Sequence, residues 1–345
     1  MSLAEAREAA LVMRKIAKAG GDPLAERRKA RTVVPNFQEA AQKVHEEHAP
    51  AWKNAKHGQQ WINTLRDYAF PIIGNRRVDQ IDSADLLRVL SPIWLAKPET
   101  GRRVRQRVKT VLDCCRANHF RSGENPIEGI AKALPKQPKK DGHHAALPYA
   151  EVAGFMRQLR DSNAGEIVKL AFEFTILTAT RTGEVLSARW DEIDGDVWTV
   201  PAERMKTGRE HRVPLTSRCV EILQNAKLFS DECGYIFPGQ SRGKSLSNMS
   251  FLMTLRRMGL KVTGHGFRSA FRDWAAEQTN YPRDVCEMAL AHTIRDKTEA
   301  AYRRGDLFEK RRQLMDAWAR YATADRRGDA VELHAPTNLV AAGSV

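Results

Sequence analysis

The sequence is poor in cysteine, and what it has is badly placed for chemistry. Cys114, Cys115, Cys219, Cys233 and Cys286 are five in 345 residues. No pair has zinc-ligand spacing, and the adjacent Cys114-Cys115 suit neither a zinc site nor an easy disulfide. Free thiols in a reducing cytoplasm are the simplest account. Long apolar runs are missing too. No stretch of about 18 apolar residues exists to span a membrane. Glu5, Arg7 and Glu8 occupy the place where a secretory signal needs apolar residues. The candidate motifs have no carboxylate cluster beside them to hold the metal ions that most nucleases use. Acidic residues are also the minority: 42 Asp and Glu against 56 Lys and Arg, a net charge of +14. That surplus favours a polyanionic partner, although charge alone does not separate a nucleic-acid binder from a basic protein without one.

What is present is two domains' worth of chain and a remnant of a third. Residues 1–33 open with a capping box, Ser2 and Glu5, followed by a helical face of Leu3, Ala6, Ala10, Met13 and Ala17. Gly20-Gly21-Asp22-Pro23 stops that helix, and Arg27-Arg28-Lys29-Ala30-Arg31 follows. One helix with a basic tail buries little by itself, so it reads as a piece of a domain. Residues 34–133 are helical, with apolar sets at Phe37, Ala41 and Val44, at Trp61, Leu65 and Tyr68, at Leu86, Leu87 and Leu90, and at Val104, Val108, Val111, Leu112 and Cys115. The last of these helices also carries Arg102, Arg103, Arg105, Arg107 and Lys109, with no acidic residue until Asp113. Such runs are usually solvated faces; the uniform sign here favours DNA.

Residues 134–146 contain two prolines, a glycine and three lysines and read as a linker. A second domain is expected over 147–324. It opens with a helix whose face is Val152, Phe155, Met156 and Leu159, then a helix apolar all round from Ile167 to Leu177. Asp194-Gly195-Asp196 predicts a turn, Val197–Val200 a strand, Thr207-Gly208-Arg209 a second turn, and His211–Leu215 a second strand. Lys206 therefore sits at or beside a hairpin tip. The rest is helical to about residue 322, and 325–345 lack periodicity and read as a disordered tail. The fold class is mainly α with a small antiparallel β-sheet.

Phosphodiester cleavage needs a nucleophile, charge stabilisation on the non-bridging oxygens and a proton for the leaving alkoxide. Without a carboxylate cluster, cationic side chains must stabilise the charge. Arg181 and Arg268 suit that role because a guanidinium stays charged and grips two oxygens in a fork. Glu184, three residues after Arg181, is placed to orient it. His265 and Arg268, also three apart, share a helix face. His292 lies near an apolar stretch, where a lone histidine is more often a core or capping group. Lys206 alone is equally bland. The order of these residues taken together carries the reading. Tyr302 is the expected nucleophile. Its phenol, with an ordinary pKa of about 10, is helped by arginines that favour the phenolate and a histidine that takes the proton. Attack makes a phosphotyrosyl ester, which stores the bond energy for rejoining. Tyr281 and Tyr321 are rivals, but only Tyr302 is followed directly by arginines. No metal or other cofactor is expected.

The order Arg181, Lys206, His265, Arg268, His292, Tyr302 resembles that of the tyrosine recombinase (phage integrase) family. Gly264-His-Gly-Phe-Arg-Ser-Ala-Phe-Arg-Asp-Trp274, Val285-Cys-Glu-Met-Ala-Leu-Ala-His292 and Glu299-Ala-Ala-Tyr-Arg-Arg-Gly-Asp306 resemble the branch found in prophages and genomic islands. The resemblance implies a helical core-binding domain at 36–133 and a catalytic domain at 147–322. It implies that Arg181 and Arg268 hold the scissile phosphate, Lys206 protonates the leaving 5′ oxygen, His265 is base toward Tyr302, His292 hydrogen-bonds the phosphate and Glu184 supports the site. It implies a 3′-phosphotyrosine link, double-stranded DNA attachment sites as substrate and four protomers at a crossover. An excisionase and a host DNA-bending protein are candidate accessory partners, and the place of action is the cytoplasmic nucleoid. Arg102, Arg103, Arg105, Arg107, Lys109 and Arg209 are the expected DNA-binding residues.

Two features depart from the family pattern. His292 and Tyr302 stand ten apart, one more than the commonest spacing. Ser2-Leu-Ala-Glu-Ala-Arg7 and Gly21-Asp-Pro23 resemble the end of an arm-site-binding domain, yet the strands expected before it are missing, so a truncated arm-binding domain is implied. The alternatives to a recombinase are a topoisomerase of the same chemistry and a DNA-binding relic without strand exchange.

Overall fold

The computed structural model describes residues 2–24, 33–52, 55–130, 132–138, 145–230, 233–292 and 305–324. It divides into two compact units, Met1–Asp141 and Gly142–Val345. No helix among the described residues is long and apolar enough to cross a membrane.

The first unit begins with α1 (Leu3–Lys18), whose capping box is formed by Ser2 and Glu5. None of its residues is buried, and Leu3, Leu11 and Val12 are exposed. Local capping forms this helix without a packing partner among the described residues. The packed body of the unit is α2 (Phe37–His48), α3 (Ala55–Tyr68), α4 (Phe70–Ile73), α5 (Ser83–Trp94), α6 (Pro98–Ala117) and α7 (Pro126–Gly129). Asn36 with Glu39 and Asp82 with Asp85 make capping boxes that start α2 and α5. The apolar stripes then meet in one core, including Phe37, Val44, Trp61, Leu65, Leu86, Leu90, Val104, Val108 and Leu112. The start of the proline-rich stretch is docked on this unit. Leu134 is buried, Trp94 Nε1 donates to the Pro135 carbonyl at 2.7 Å, and Gln137 Nε2 donates to the Trp94 carbonyl at 2.7 Å.

The second unit is built around α9 (Glu166–Thr178), buried continuously from Ala171 onward. Sharing one core with it are α8 (Val152–Asp161), the short α10 (Thr182–Leu186), α11 (Ser217–Ala226), α12 (Ser250–Arg257), α13 (Gly266–Gln278), α14 (Arg283–Ala289) and α15 (Phe308–Thr323). Aromatic rings fill the centre. Phe172 stacks on Phe251 at 4.4 Å, Phe174 meets Trp198 at 5.4 Å, and Trp318 donates from Nε1 to the Ile176 carbonyl. The sheet is antiparallel in the order β1 (Ile193–Asp194), β2 (Val197–Val200), β3 (His211–Pro214). Its register pairs Val197 with Pro214 and Val200 with His211. The two-residue β1 is too short to show an alternation of its own, and only its partner strand reveals it.

Two backbone turns in this unit present the site. Ala179, just after α9, and Ala291, just after α14, adopt left-handed conformations at φ 49° and 48°. A residue with a Cβ resists that geometry by about 1–2 kcal/mol. Each turn reverses the chain as a helix ends and exposes its neighbouring carbonyls to one side chain.

Candidate active site

That side chain is Arg268, on the first turn of α13. Its Nη1 donates to the Ala179 carbonyl and its Nη2 to the Leu290 carbonyl at 2.6 Å. One guanidinium thus ties the end of α9 to the end of α14. Arg268 is buried, and burial, with Arg181 nearby, lowers its pKa to about 10. It therefore stays charged at neutral pH. The close packing that holds α13 needs glycine at 266, because a Cβ there would stand 2.4 Å from the Ala145 carbonyl oxygen.

Arg181 approaches from the other turn. Glu184 holds it twice: Oε1 accepts from Arg181 Nη1 at 2.7 Å, and Oε2 accepts from the Arg181 backbone at 2.9 Å. Arg181 Nη2 donates to the Ala291 carbonyl at 3.3 Å. The buried carboxylate fixes a half-buried arginine whose guanidinium keeps an open side. His292 completes the group. Its Nε2 lies 3.4 Å from Arg268 Nη2, and its Nδ1 lies 2.6 Å from Glu287 Oε2. A carboxylate only accepts, so Nδ1 carries the hydrogen. Glu287 also accepts from Arg272 Nε at 2.8 Å. Burial raises the Glu287 pKa, and these two hydrogen bonds outweigh that and bring it below the ordinary value.

The structure thus brings together Arg181, Glu184, Arg268 and His292. His265 caps α13, exposed, with its carbonyl accepting from the Arg268 backbone. Lys206 is exposed in the connection between β2 and β3, and no hydrogen bond or ion pair among the described residues holds it. Arg209 is exposed in the same connection. Tyr302 lies outside the described residues. The chain on both sides of it is held: His292 as above, and Asp306 by Arg311, whose Nη2 donates to Oδ2 at 2.8 Å. The rival tyrosines are packed. Tyr321 stacks on Trp318 and meets Trp274, and Tyr281 lies against the same core.

In the first unit the basic run on α6 does not make one face, which corrects the expectation for Arg107. At about 100° per residue, Arg102, Arg105 and Lys109 share an arc, while Arg107 falls beside Val104, Val108 and Val111. It is buried, with Nη1 donating to the Gln60 carbonyl at 3.0 Å. Lys109 is engaged by Asp113 at 3.1 Å and Glu128 at 2.5 Å. Arg102 and Arg103 share Glu99 but are half exposed.

Sequence reasoning missed His211. It alternates with Val213 on the inward side of β3, a position that reads as core. It hydrogen-bonds the Ala289 backbone, and burial, followed by Arg311, Arg268 and Arg181, pushes its pKa from 6.5 to about 3. It is a neutral group packed among cations. Between pH 6.5 and 3 the unfolded chain binds more protons at this residue than the folded chain does. Its contribution to stability is therefore full above about 6.5 and falls with pH, by at most about 1.4 kcal/mol per pH unit. Denaturant unfolding from pH 7 to 4 should show a steeper acid loss for the wild type than for His211→Gln. Parallel curves would contradict the assignment.

With this geometry in view, the likeness to known proteins becomes specific. A model described as the phage integrase central domain matches residues 37–130, and one described as the phage integrase family matches residues 146–307. Prophage integrase IntA of Escherichia coli K12 is 32% identical over 280 residues, covering 79% of this chain and 67% of that protein. The chain belongs to the phage integrase family. Prophage integrase IntZ of the same organism is 29% identical over 328 residues, 92% of this chain and 80% of the relative. The fold matches a lambda integrase dimer bound to a COC′ core site with a TM-score of 0.62 at 16% identity, covering 94% of this chain and 88% of that one. The integrase family is one of tyrosine recombinases, enzymes that recombine DNA. Arg181, Glu184, Lys206, His265, Arg268, His292 and Tyr302 all fall within the stretch matched to the integrase family model, and Arg102 to Lys109 fall within the matched central domain.

Proposed function

We propose that this protein is a site-specific recombinase that cuts and rejoins double-stranded DNA through a 3′-phosphotyrosine at Tyr302, integrating or excising a prophage or genomic island. The observation that carries the reading is the convergence of Arg181 and Arg268 with His292 where α9 and α14 end. Three cationic or hydrogen-bonding groups meet there on fixed backbone, which suits a phosphate whose charge grows during attack. In the forward step the Tyr302 oxygen bonds to phosphorus as the 5′ oxygen leaves. His265 takes the phenolic proton and Lys206 gives one to the leaving oxygen. Rejoining reverses each transfer, with a 5′ hydroxyl attacking and tyrosine leaving.

The substrate class follows from the +14 charge and from the relatives. Solved lambda integrase structures include a tetramer bound to a Holliday junction. By analogy this chain acts as a tetramer on paired attachment sites, with Arg102, Arg103, Arg105 and Arg209 on the DNA backbone. An excisionase and a host DNA-bending protein would set its direction. Prophage integrases among the relatives favour recombination over simple relaxation. The test is cleavage of a nicked suicide substrate built from the ends of the element carrying the gene. Because arginines supply the charge in this mechanism, covalent complex should form equally well in EDTA. A reaction abolished by EDTA and restored by magnesium would overturn the mechanism.

A further inference from the structure

Lys206 needs a fixed position to protonate one oxygen, yet it stands exposed in a ten-residue connection between two four-residue strands. Connections of that length are ordinarily mobile. Two residues before it, Arg204 is fastened to a different part of the unit. Its Nη2 donates to the Glu184 carbonyl at 2.5 Å, and its Nη1 donates to the Ser187 carbonyl and to Glu192 Oε1 at 2.5 Å. Glu192 is itself fixed, since its other oxygen accepts from Trp198 Nε1 at 2.9 Å. Met205, between the two cations, is buried. The connection is therefore pinned by a polar anchor and an apolar one immediately before Lys206.

The partner of that polar anchor matters most. Glu184 holds Arg181 with its carboxylate and Arg204 with its carbonyl. One residue thus links the phosphate-binding arginine to the lysine-bearing connection. We infer that Arg204 is a positioning residue for leaving-group protonation: it sets Lys206 in register with Arg181 by tying the connection to α10. A guanidinium can do this because its planar fork reaches several acceptors at once; a lysine ammonium offers one point charge. The inference rests on the assignment of Lys206 as general acid.

The experiment compares single-turnover cleavage of a nicked substrate carrying a normal 5′ oxygen with one carrying a bridging 5′ sulfur, which leaves without a proton. Displacing a catalytic group by about 1 Å typically costs about 10²-fold in rate. Arg204→Gln should lose about that much on the oxygen substrate and recover most of it on the sulfur substrate. Arg204→Lys should fall between wild type and Gln. Glu192→Gln weakens the same tether from the other side and should show the same, smaller, substrate-dependent defect, which keeps the test open if Arg204→Gln does not fold. Equal defects on both substrates, or none on either, overturn the tether. Lys206→Ala separates the two levels. If it is rescued by sulfur and the Arg204 and Glu192 variants are not, the tether is wrong and the general acid stands. If Lys206→Ala is not rescued, the general-acid assignment fails and the tether fails with it.

Discussion

Tyr302→Phe should abolish the covalent DNA complex and leave DNA affinity nearly unchanged. The phenylalanine keeps the ring and loses only the oxygen proposed to bond to phosphorus. Affinity for DNA generally comes from many phosphate contacts, and one hydroxyl contributes little to their sum. Tyr321 is stacked on Trp318, and Tyr281 is packed against the core, so the ring of each is held in place. Denaturing gels on a suicide substrate should show no adduct for the variant, while gel shifts under native conditions match the wild type. An adduct that persists with Phe at 302 would move the nucleophile elsewhere.

Arg268→Ala should produce the next largest loss, in both rate and stability. Removing a charge-stabilising donor from a phosphoryl or acyl transfer site typically lowers the rate by about 10²–10³-fold. Here the same guanidinium also satisfies the carbonyls of Ala179 and Leu290, on the two strained turns that present Arg181 and His292. A buried carbonyl left without its partner costs about 1–3 kcal/mol. Arg268→Lys should restore the charge and little of the activity, because one ammonium cannot reach both carbonyls and a phosphate. Cleavage rates and melting temperatures of the two variants check this. A Lys variant as active as wild type would show that the fork geometry is unimportant.

Much of the fold was legible because its signals are local. The capping box at Ser2, the stripe Val152, Phe155, Met156, Leu159 and the continuous apolar run before Arg181 each follow from helix geometry. The hairpin strands showed through their turn residues. In the site, Arg181 with Glu184 was readable from a spacing of three; the same spacing put His265 with Arg268 on one helix face, whereas His265 is the exposed residue just before α13. The remaining features depend on tertiary approach. Glu287 reaches His292 from five residues away, a spacing with no helical signature, because α14 ends between them. Arg204 finds its acceptors 12, 17 and 20 residues back along the chain. Arg107 read as part of an exposed basic run because sign was weighed and helical angle was not; its position beside three valines places it in the core. Residues 134–146 read as linker from their prolines and lysines, yet at the start of that stretch the Pro135 carbonyl accepts from Trp94 Nε1 and Gln137 Nε2 donates to the Trp94 carbonyl, which docks it on the first unit.

The most direct measurement is the identity of the residue joined to DNA. Wild-type protein is trapped on a nicked substrate in EDTA, digested with nuclease and trypsin, and sequenced by mass spectrometry. The expected product is the peptide Thr298–Arg303 carrying a 3′-phosphonucleotide on Tyr302. A nucleotide on Tyr281, Tyr321 or a serine, or DNA cut with no peptide attached, would contradict the mechanism at its centre.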